Sequence, residues 1–267
     1  MNQFSLAGRC ALVTGGARGI GEGVADALAR AGANVVVGDI LDDVGQATAK
    51  KLASHGTKTG FVHLDVTKES DWTAAVPSII QQVGGFDILV NNAGLEVSAL
   101  VSDIEPESVL KMLNVNMIGN LLGMKHAFAA MKPGGPAGKG GAVVNISSVS
   151  ALIAFPAIAA YSGTKSAVDR MTRVAAAEAG RLGYGVRVNC IYPGLIPTEM
   201  GVKLAEDVVK FGLFPDVDAA LAAVVAQTPL GRLAEVSEVA DAAIFLASDA
   251  AKFITGAGIP VDGGMGS

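Results

Sequence analysis

Short apolar runs alternate with amphipathic stretches along almost the whole chain. The runs at residues 10–14, 34–37, 60–64, 87–90, 142–146, 186–191 and 258–261 are rich in Val, Ile and Leu and end in Gly, Asn, Ser, Asp or Pro, so they predict strands buried on both faces. Between them, apolar positions recur at helical spacing from Gly21 to about residue 31, over 42–54, from about Lys68, over 106–131 as one long helix, up to about Gly183, and over 236–247. Strand and helix in alternation predict an α/β fold: a single doubly wound Rossmann-type domain over 1–267, with a mainly parallel seven-stranded sheet and helices on both faces. The Gly- and Pro-rich stretch 132–141 is a loop, because a strand follows at once. Over 195–228 the pattern loosens into short helical pieces with exposed-looking apolar residues, the best candidate for a substrate lid.

Composition narrows this picture. Hydrophobic residues make up 51% of the 267 and charged residues 17%, which excludes disorder over most of the chain. The net charge is −5 without a basic block, so neither nucleic acid nor an anionic membrane is an expected partner. Residues 1–8 lack the basic and apolar regions of a signal peptide and no run reaches membrane-spanning length, so a cytoplasmic protein is expected. Cys10 and Cys190 lie in apolar settings and read as buried, reduced thiols. His55, His63 and His126 form no ligand pattern, and no metal is expected.

Three clusters carry candidate chemistry. In the first, the strand 10–14 stops at a glycine turn and a helix follows. Gly15, Arg18, Gly19, Ile20 and Gly21 thus read as a phosphate site, where a bare backbone lets a pyrophosphate reach the helix N-terminus. Asp39 follows Gly21 by eighteen residues, close to the spacing of a carboxylate on the adenosine ribose; there it repels a 2′-phosphate and favours NAD(H), although a helix cap for the segment near Leu41 is the other reading. Arg18 could favour NADP(H). Asp65, with Val66 beside it, either accepts from the adenine amino group or caps the helix near Lys68. Asn92, Ala93 and Gly94 are small residues at a strand's carboxyl end, where a ligand can sit against the backbone.

In the second, Tyr161 and Lys165 share one face of a helix. A phenol with a pKa near 10 is about one part in a thousand ionised at neutral pH, and a nearby lysine cation favours the phenolate, which makes proton exchange with an alcohol or ketone feasible. The third is an apolar group, described below.

In order and separation, Thr14-Gly15-x-x-x-Gly19-x-Gly21, Asn91-Asn92-Ala93-Gly94, Asn116, Ser148, Tyr161-x-x-x-Lys165 and Pro193-Gly194 resemble the short-chain dehydrogenase/reductase family over nearly the whole chain. The resemblance implies Tyr161 as acid/base, Lys165 as the residue that lowers its pKa and holds the nicotinamide ribose, Ser148 as the hydroxyl on the substrate oxygen, and Asn116 as holder of a water near the lysine. It places Asn91, Ala93 and Gly94 in the cofactor packing, Pro193 and Gly194 at the cofactor site, and Ile196 and Thr198 at the carboxamide. Ser147 is the other candidate hydroxyl, Asn116 could instead be a helix-packing amide, and Asn114 is read as structural. Ala151 stands where relatives often have Gly, and Gly163 and Thr164 where they often have Ala-Ser; neither of the latter two is expected to touch the proton path.

The reading is an NAD-dependent dehydrogenase or reductase of apolar secondary alcohols and ketones, including cyclic alcohols and hydroxysteroids, which the sequence most resembles. Leu152, Phe155, Leu195, Met200, Val202, Phe211, Leu213 and Phe214 suggest an apolar pocket, joined by Ser150; closing the core or a subunit contact is their other use. Glu96 is the one charge expected near the pocket mouth, on a polar group of the substrate or in solvent. Reduction of 3-oxoacyl thioesters is a second reading, disfavoured by the acidic balance and Asp39; a dinucleotide-binding regulator without catalysis is a third. The resemblance also implies a homotetramer, with the helix from Pro106 and the small residues Ala167, Ala175, Ala176 and Ala179 as candidate contacts.

Overall fold

The computed structural model describes residues 3–267; Met1 and Asn2, the start of the segment read as lacking a signal peptide, lie outside the described residues. In chain order the elements are β1 (Cys10–Thr14), α1 (Gly19–Arg30), β2 (Asn34–Asp39), α2 (Asp42–Leu52), β3 (Thr59–His63), α3 (Glu69–Val83), β4 (Ile88–Asn91), α4 (Pro106–Met112), α5 (Gly119–Met131), β5 (Gly141–Ile146), α6 (Ala159–Arg181), β6 (Val186–Pro193), α7 (Glu199–Lys210), α8 (Val217–Gln227), α9 (Val236–Ala247) and β7 (Gly258–Val261). The seven strands form one parallel sheet in the order β3-β2-β1-β4-β5-β6-β7.

Continuous apolar strands require cover on both sides, and each face has its own core. On one face Val13, Val35, Val37, Ile88 and Val90 pack under α1 and α9; on the other Leu12, Val36, Leu89 and Val143 pack under α3, α5 and α6. Strand order reverses between β1 and β4, so the crossovers leave toward opposite faces there and a crevice opens at the strands' carboxyl ends. Register sets Thr14 opposite Gly38 and Val13 opposite Val90, which brings the glycine turn, Asp39 and the Asn91–Gly94 segment to that crevice.

Two expectations are corrected. The helix over 106–131 is interrupted: between α4 and α5, Leu113–Ile118 is a π segment. A π turn re-aims side chains that α spacing would put elsewhere, and here it carries Asn116. The small residues Ala175, Ala176 and Ala179 of α6 are 7%, 5% and 0% exposed and pack into the chain's own core, so they present nothing to another subunit. The looser stretch before α9 resolves into the regular helices α7 and α8, which join Ala157 in a third, small apolar cluster. Among the described residues no helix is long and apolar enough to cross a membrane.

Candidate active site

The glycine turn is shaped by what its neighbours exclude. Gly15 and Gly19 both hold φ of +60°, in the left-handed region. A Cβ on Gly15 would lie 2.8 Å from Ala93 Cα; one on Gly21 would strike the Gly15 carbonyl and come within 2.5 Å of Asn92 Nδ2. Asn92 Nδ2 donates to the Thr14 and Gly15 carbonyls at 3.0 and 2.9 Å, and Thr14 Oγ1 accepts from the backbone N–H groups of Asn92 and Ala93, both at 3.1 Å. These bonds fix the end of β4 to the turn, and α1 begins there with no capping side chain on its first N–H groups. A helix start without a cap beside a side-chain-free backbone suits a pyrophosphate, so the residues present fit a dinucleotide.

Asp39 is 8% exposed, with Oδ2 accepting from Ala17 N at 3.0 Å and Oδ1 from Leu41 N at 3.1 Å. It does not cap α2, whose N-cap is Leu41 with no side-chain bond; it pins β2's end against the glycine turn. Arg18 points elsewhere, ion-paired with Glu199 at the start of α7. Asp65 is committed to its own turn: Oδ1 accepts from Thr67 N and Oγ1 at 3.1 and 2.7 Å, and Lys68, the N-cap of α3, pairs with it at 3.2 Å. Val66 lines a narrow cleft with Thr14, Asn91, Ala93, Gly119 and Asn120. At the far side, Gly194 N donates to Val261 O at 2.9 Å, Ile196 is buried in the core, and Thr198 caps α7 with its methyl facing Gly19. Pro193 ends β6.

Tyr161 and Lys165 lie in the first two turns of α6, with Nζ 5.5 Å from the phenol ring centre. Lys165 is 5% exposed and donates to the Ile146 carbonyl at 2.8 Å, while Ser147 Oγ donates to the Lys165 carbonyl at 2.8 Å. Together these bonds dock α6 on β5 and turn Ser147 inward, leaving Ser148 as the hydroxyl on Tyr161's side. Ser148 Oγ accepts from Ser150 N and Oγ at 3.1 and 3.0 Å, and its hydroxyl favours the Tyr161 phenolate. Burial raises the Tyr161 pKa above its ordinary value; the Ser148 hydroxyl opposes this and the Glu96 charge adds to it. Burial also brings Lys165 down to about 8. The expected lowering of the phenol by the lysine is therefore not the dominant effect here: Lys165 has a carbonyl, not the phenol oxygen, as its partner, and desolvation outweighs attraction.

Asn116, 2% exposed, is fully engaged: Oδ1 accepts from Leu95 N at 2.8 Å, and Nδ2 donates to Leu95 O at 2.8 Å and Thr164 Oγ1 at 3.0 Å. Its side chain ties the loop after β4 to α6, the helix-packing use. The site nonetheless converges: a Cβ on Gly94 would lie 3.6 Å from both Asn116 Oδ1 and Lys165 Nζ. Thr164, read as remote from the proton path, bonds Asn116 directly and donates to the Tyr161 carbonyl at 2.7 Å.

The substrate-side expectations fare unevenly. Ser150 is spent on Ser148. Leu152 and Met200 are 46% and 41% exposed, Phe155 and Leu195 are half-buried, and Phe211 and Phe214 pack within the α7–α8 cluster. A cleft of 190 Å³ lies beside the start of α6, lined among others by Val97, Ile104, Met112, Ala157, Ala160 and Phe211. Glu96 is not in solvent; it is 7% exposed, with Oε1 accepting at 2.8 Å from Oγ of Ser98, which lines that cleft. Asn145 and Thr172 escaped the sequence reading: Asn145 bridges Asn91 and Thr172 at 2.9 Å each, inside the core. Polar residues within apolar runs were the available signal.

A doubly wound sheet with a glycine cradle at its switch point and a Ser-Tyr-Lys cluster beside it defines a dinucleotide-binding oxidoreductase class. A family model described as Enoyl-(Acyl carrier protein) reductase matches residues 15–266. The trans-4-hydroxycyclohexanecarboxylate dehydrogenase of Sinomonas cyclohexanicum is 40% identical over 265 residues, covering 97% of this chain and 93% of that protein. The 3-alpha-(or 20-beta)-hydroxysteroid dehydrogenase of Mycobacterium tuberculosis (strain ATCC 25618 / H37Rv) is 40% identical over 259 residues, covering 97% and 90%. A gluconate 5-dehydrogenase from Burkholderia cenocepacia J2315, solved in complex with NADP and tartrate, superposes with a TM-score of 0.88 at 34% identity, covering 99% and 97%. The chain belongs to the short-chain dehydrogenase/reductase family.

Proposed function

We propose that the protein interconverts an apolar, alicyclic secondary alcohol and its ketone with NAD(H), Tyr161 serving as acid/base. The observation that carries this is the gathering of Ser148, Tyr161 and Lys165, with Lys165 Nζ 5.5 Å from the phenol ring centre and beside Gly94, at the edge of the dinucleotide cradle. Bound in the cradle, the nicotinamide supplies the hydride acceptor in oxidation and the donor in reduction. Ser148 holds the carbinol oxygen, and Tyr161 takes its proton as charge develops there; two donors aimed at one oxygen stabilise that charge. Lys165, cationic below about pH 8, stabilises the phenolate that results. Gly15, Gly19, Ile20 and Gly21 would hold the pyrophosphate, Ala93 and Gly94 the nicotinamide ribose side, and Pro193, Gly194, Ile196 and Thr198 the carboxamide. The cyclohexane ring in one relative's name and the sterol in another's support an alicyclic substrate. Thioester reduction ranks below this reading, because an acidic carrier protein meets a chain of net charge −5.

Asp39 supports NAD(H). Its carboxylate is fixed beside the turn, Arg18 is paired away on Glu199, and the next residue, Ile40, is exposed and apolar, so no cation answers a 2′-phosphate. Like charges at a ribose contact cost several kcal/mol, so kcat/KM with NAD⁺ is expected to exceed that with NADP⁺ by about 100-fold. In Asp39→Ser the ratio is expected to fall below about tenfold, chiefly through a lower KM for NADP⁺. Initial rates with both cofactors check this, and equal use of both by the wild type would contradict the cofactor assignment.

A further inference from the structure

Glu96 lies two residues beyond Gly94, on the loop that Asn116 ties to α6. Ser98 uses one of its oxygens; the other, Oε2, is buried with no hydrogen-bond partner in a residue that is 93% buried by its 7% exposure. Buried polar atoms are satisfied as a rule, and leaving one unpaired costs stability. The carboxylate's field acts on Tyr161 on one side and is felt from Lys203 and Asp207 of α7 on the other. Lys203 attracts Glu96 from a distance but gives Oε2 no hydrogen bond, because its ammonium is paired with Asp207. An unpartnered carboxylate oxygen therefore lies directly behind the wall of the 190 Å³ cleft, since the next two residues, Val97 and the Ser98 that bonds Glu96, line it beside the start of α6. Stapling the loop through Ser98 needs one acceptor, which a neutral side chain provides; the second oxygen serves nothing within the chain.

We propose that Glu96 Oε2 accepts a hydrogen bond from a second hydroxyl group of the substrate, making the enzyme selective for alicyclic diols. The assignment rests on the alcohol dehydrogenase reading above and adds the substrate class. An anionic group at the same place is repelled, so a ring bearing a carboxylate is disfavoured where a ring bearing a hydroxyl is preferred.

The test compares kcat/KM for cyclohexanol, the cyclohexane-1,2-, 1,3- and 1,4-diols and 4-hydroxycyclohexanecarboxylate in the wild type, Glu96→Gln and Glu96→Leu. A hydrogen bond to a charged acceptor predicts a preference of about tenfold or more for the best diol over cyclohexanol in the wild type. The ratio is expected to collapse to about one in Glu96→Leu and to keep an intermediate value in Glu96→Gln, which retains a neutral acceptor. Damage to the fold lowers both substrates together and leaves the ratio in place, so the ratio reads recognition. An unchanged ratio in either variant overturns the proposal, as does a wild type that prefers the carboxylate to every diol. A wild type that oxidises no alcohol while binding NAD⁺ fails earlier and overturns the dehydrogenase reading itself.

Discussion

Replacing Tyr161 with Phe is expected to lower kcat/KM about 1000-fold while cofactor affinity stays within about threefold of wild type. The substitution removes one oxygen and keeps the ring, so α6 and its packing are preserved. What it removes is the phenol oxygen, the proton acceptor for the carbinol oxygen in this reading. A positioned acid/base contributes about 10²–10⁴ in rate, and nothing beside Tyr161 replaces it: Lys165 is directed to the Ile146 carbonyl. Steady-state kinetics with a fluorescence titration of NADH check both halves. Normal turnover in the variant would sink the acid/base assignment.

Gly21→Ala is expected to weaken cofactor binding by about 100-fold or more, the next largest effect, because a backbone collision displaces the phosphate turn by far more than a rotamer shift could absorb. The added methyl meets the Gly15 carbonyl and Asn92 Nδ2, and Asn92 is the side chain that holds β4 to the turn. Gly19→Ala is the contrast. Its φ of +60° carries about 1–2 kcal/mol of strain for an L-residue, but the nearest atom to its Cβ, Thr198 Cγ2, is at an ordinary 3.8 Å. That variant is expected to lose only about tenfold. Isothermal titration with NADH, alongside circular dichroism to confirm folding, separates the two; equal losses would mean that the cofactor does not lie along this turn.

Much of the architecture was legible because it rests on local patterns. Strands buried on both faces are unbroken apolar runs, and 258–261 and 236–247 coincide with β7 and α9. The glycine turn was legible for the same reason: strand, glycines and helix are contiguous in sequence. The rest depends on pairings across space. The π segment around Asn116 leaves no mark on the periodicity, since it changes hydrogen-bond partners by one residue without changing which residues are apolar. Arg18 reads as a cofactor cation from its place in the turn, and its ion pair with Glu199, 181 residues away, could not be seen from the sequence. Thr164 reads as a spacer within Tyr161-x-x-x-Lys165 until the π turn delivers Asn116 to it. Ala175, Ala176 and Ala179 suit an interface by size, but small residues serve equally well where α6 lies close on the sheet. Glu96 was visible as a charge, and only its burial and orphaned oxygen give it a use.

The central claim is tested most directly by following NADH formation from NAD⁺ and a panel of alicyclic alcohols with purified wild-type protein between pH 6 and 10. Burial raises the Tyr161 pKa, so the phenolate is scarce at neutral pH, and kcat/KM for oxidation is expected to rise with pH by up to about tenfold per unit to about pH 8, and less steeply above it as Lys165 loses its charge. Ketone reduction, which uses the protonated phenol, is expected not to rise over the same range. NAD⁺ binding without NADH formation from any alcohol at any pH would contradict the account and leave a dinucleotide-binding regulator in its place.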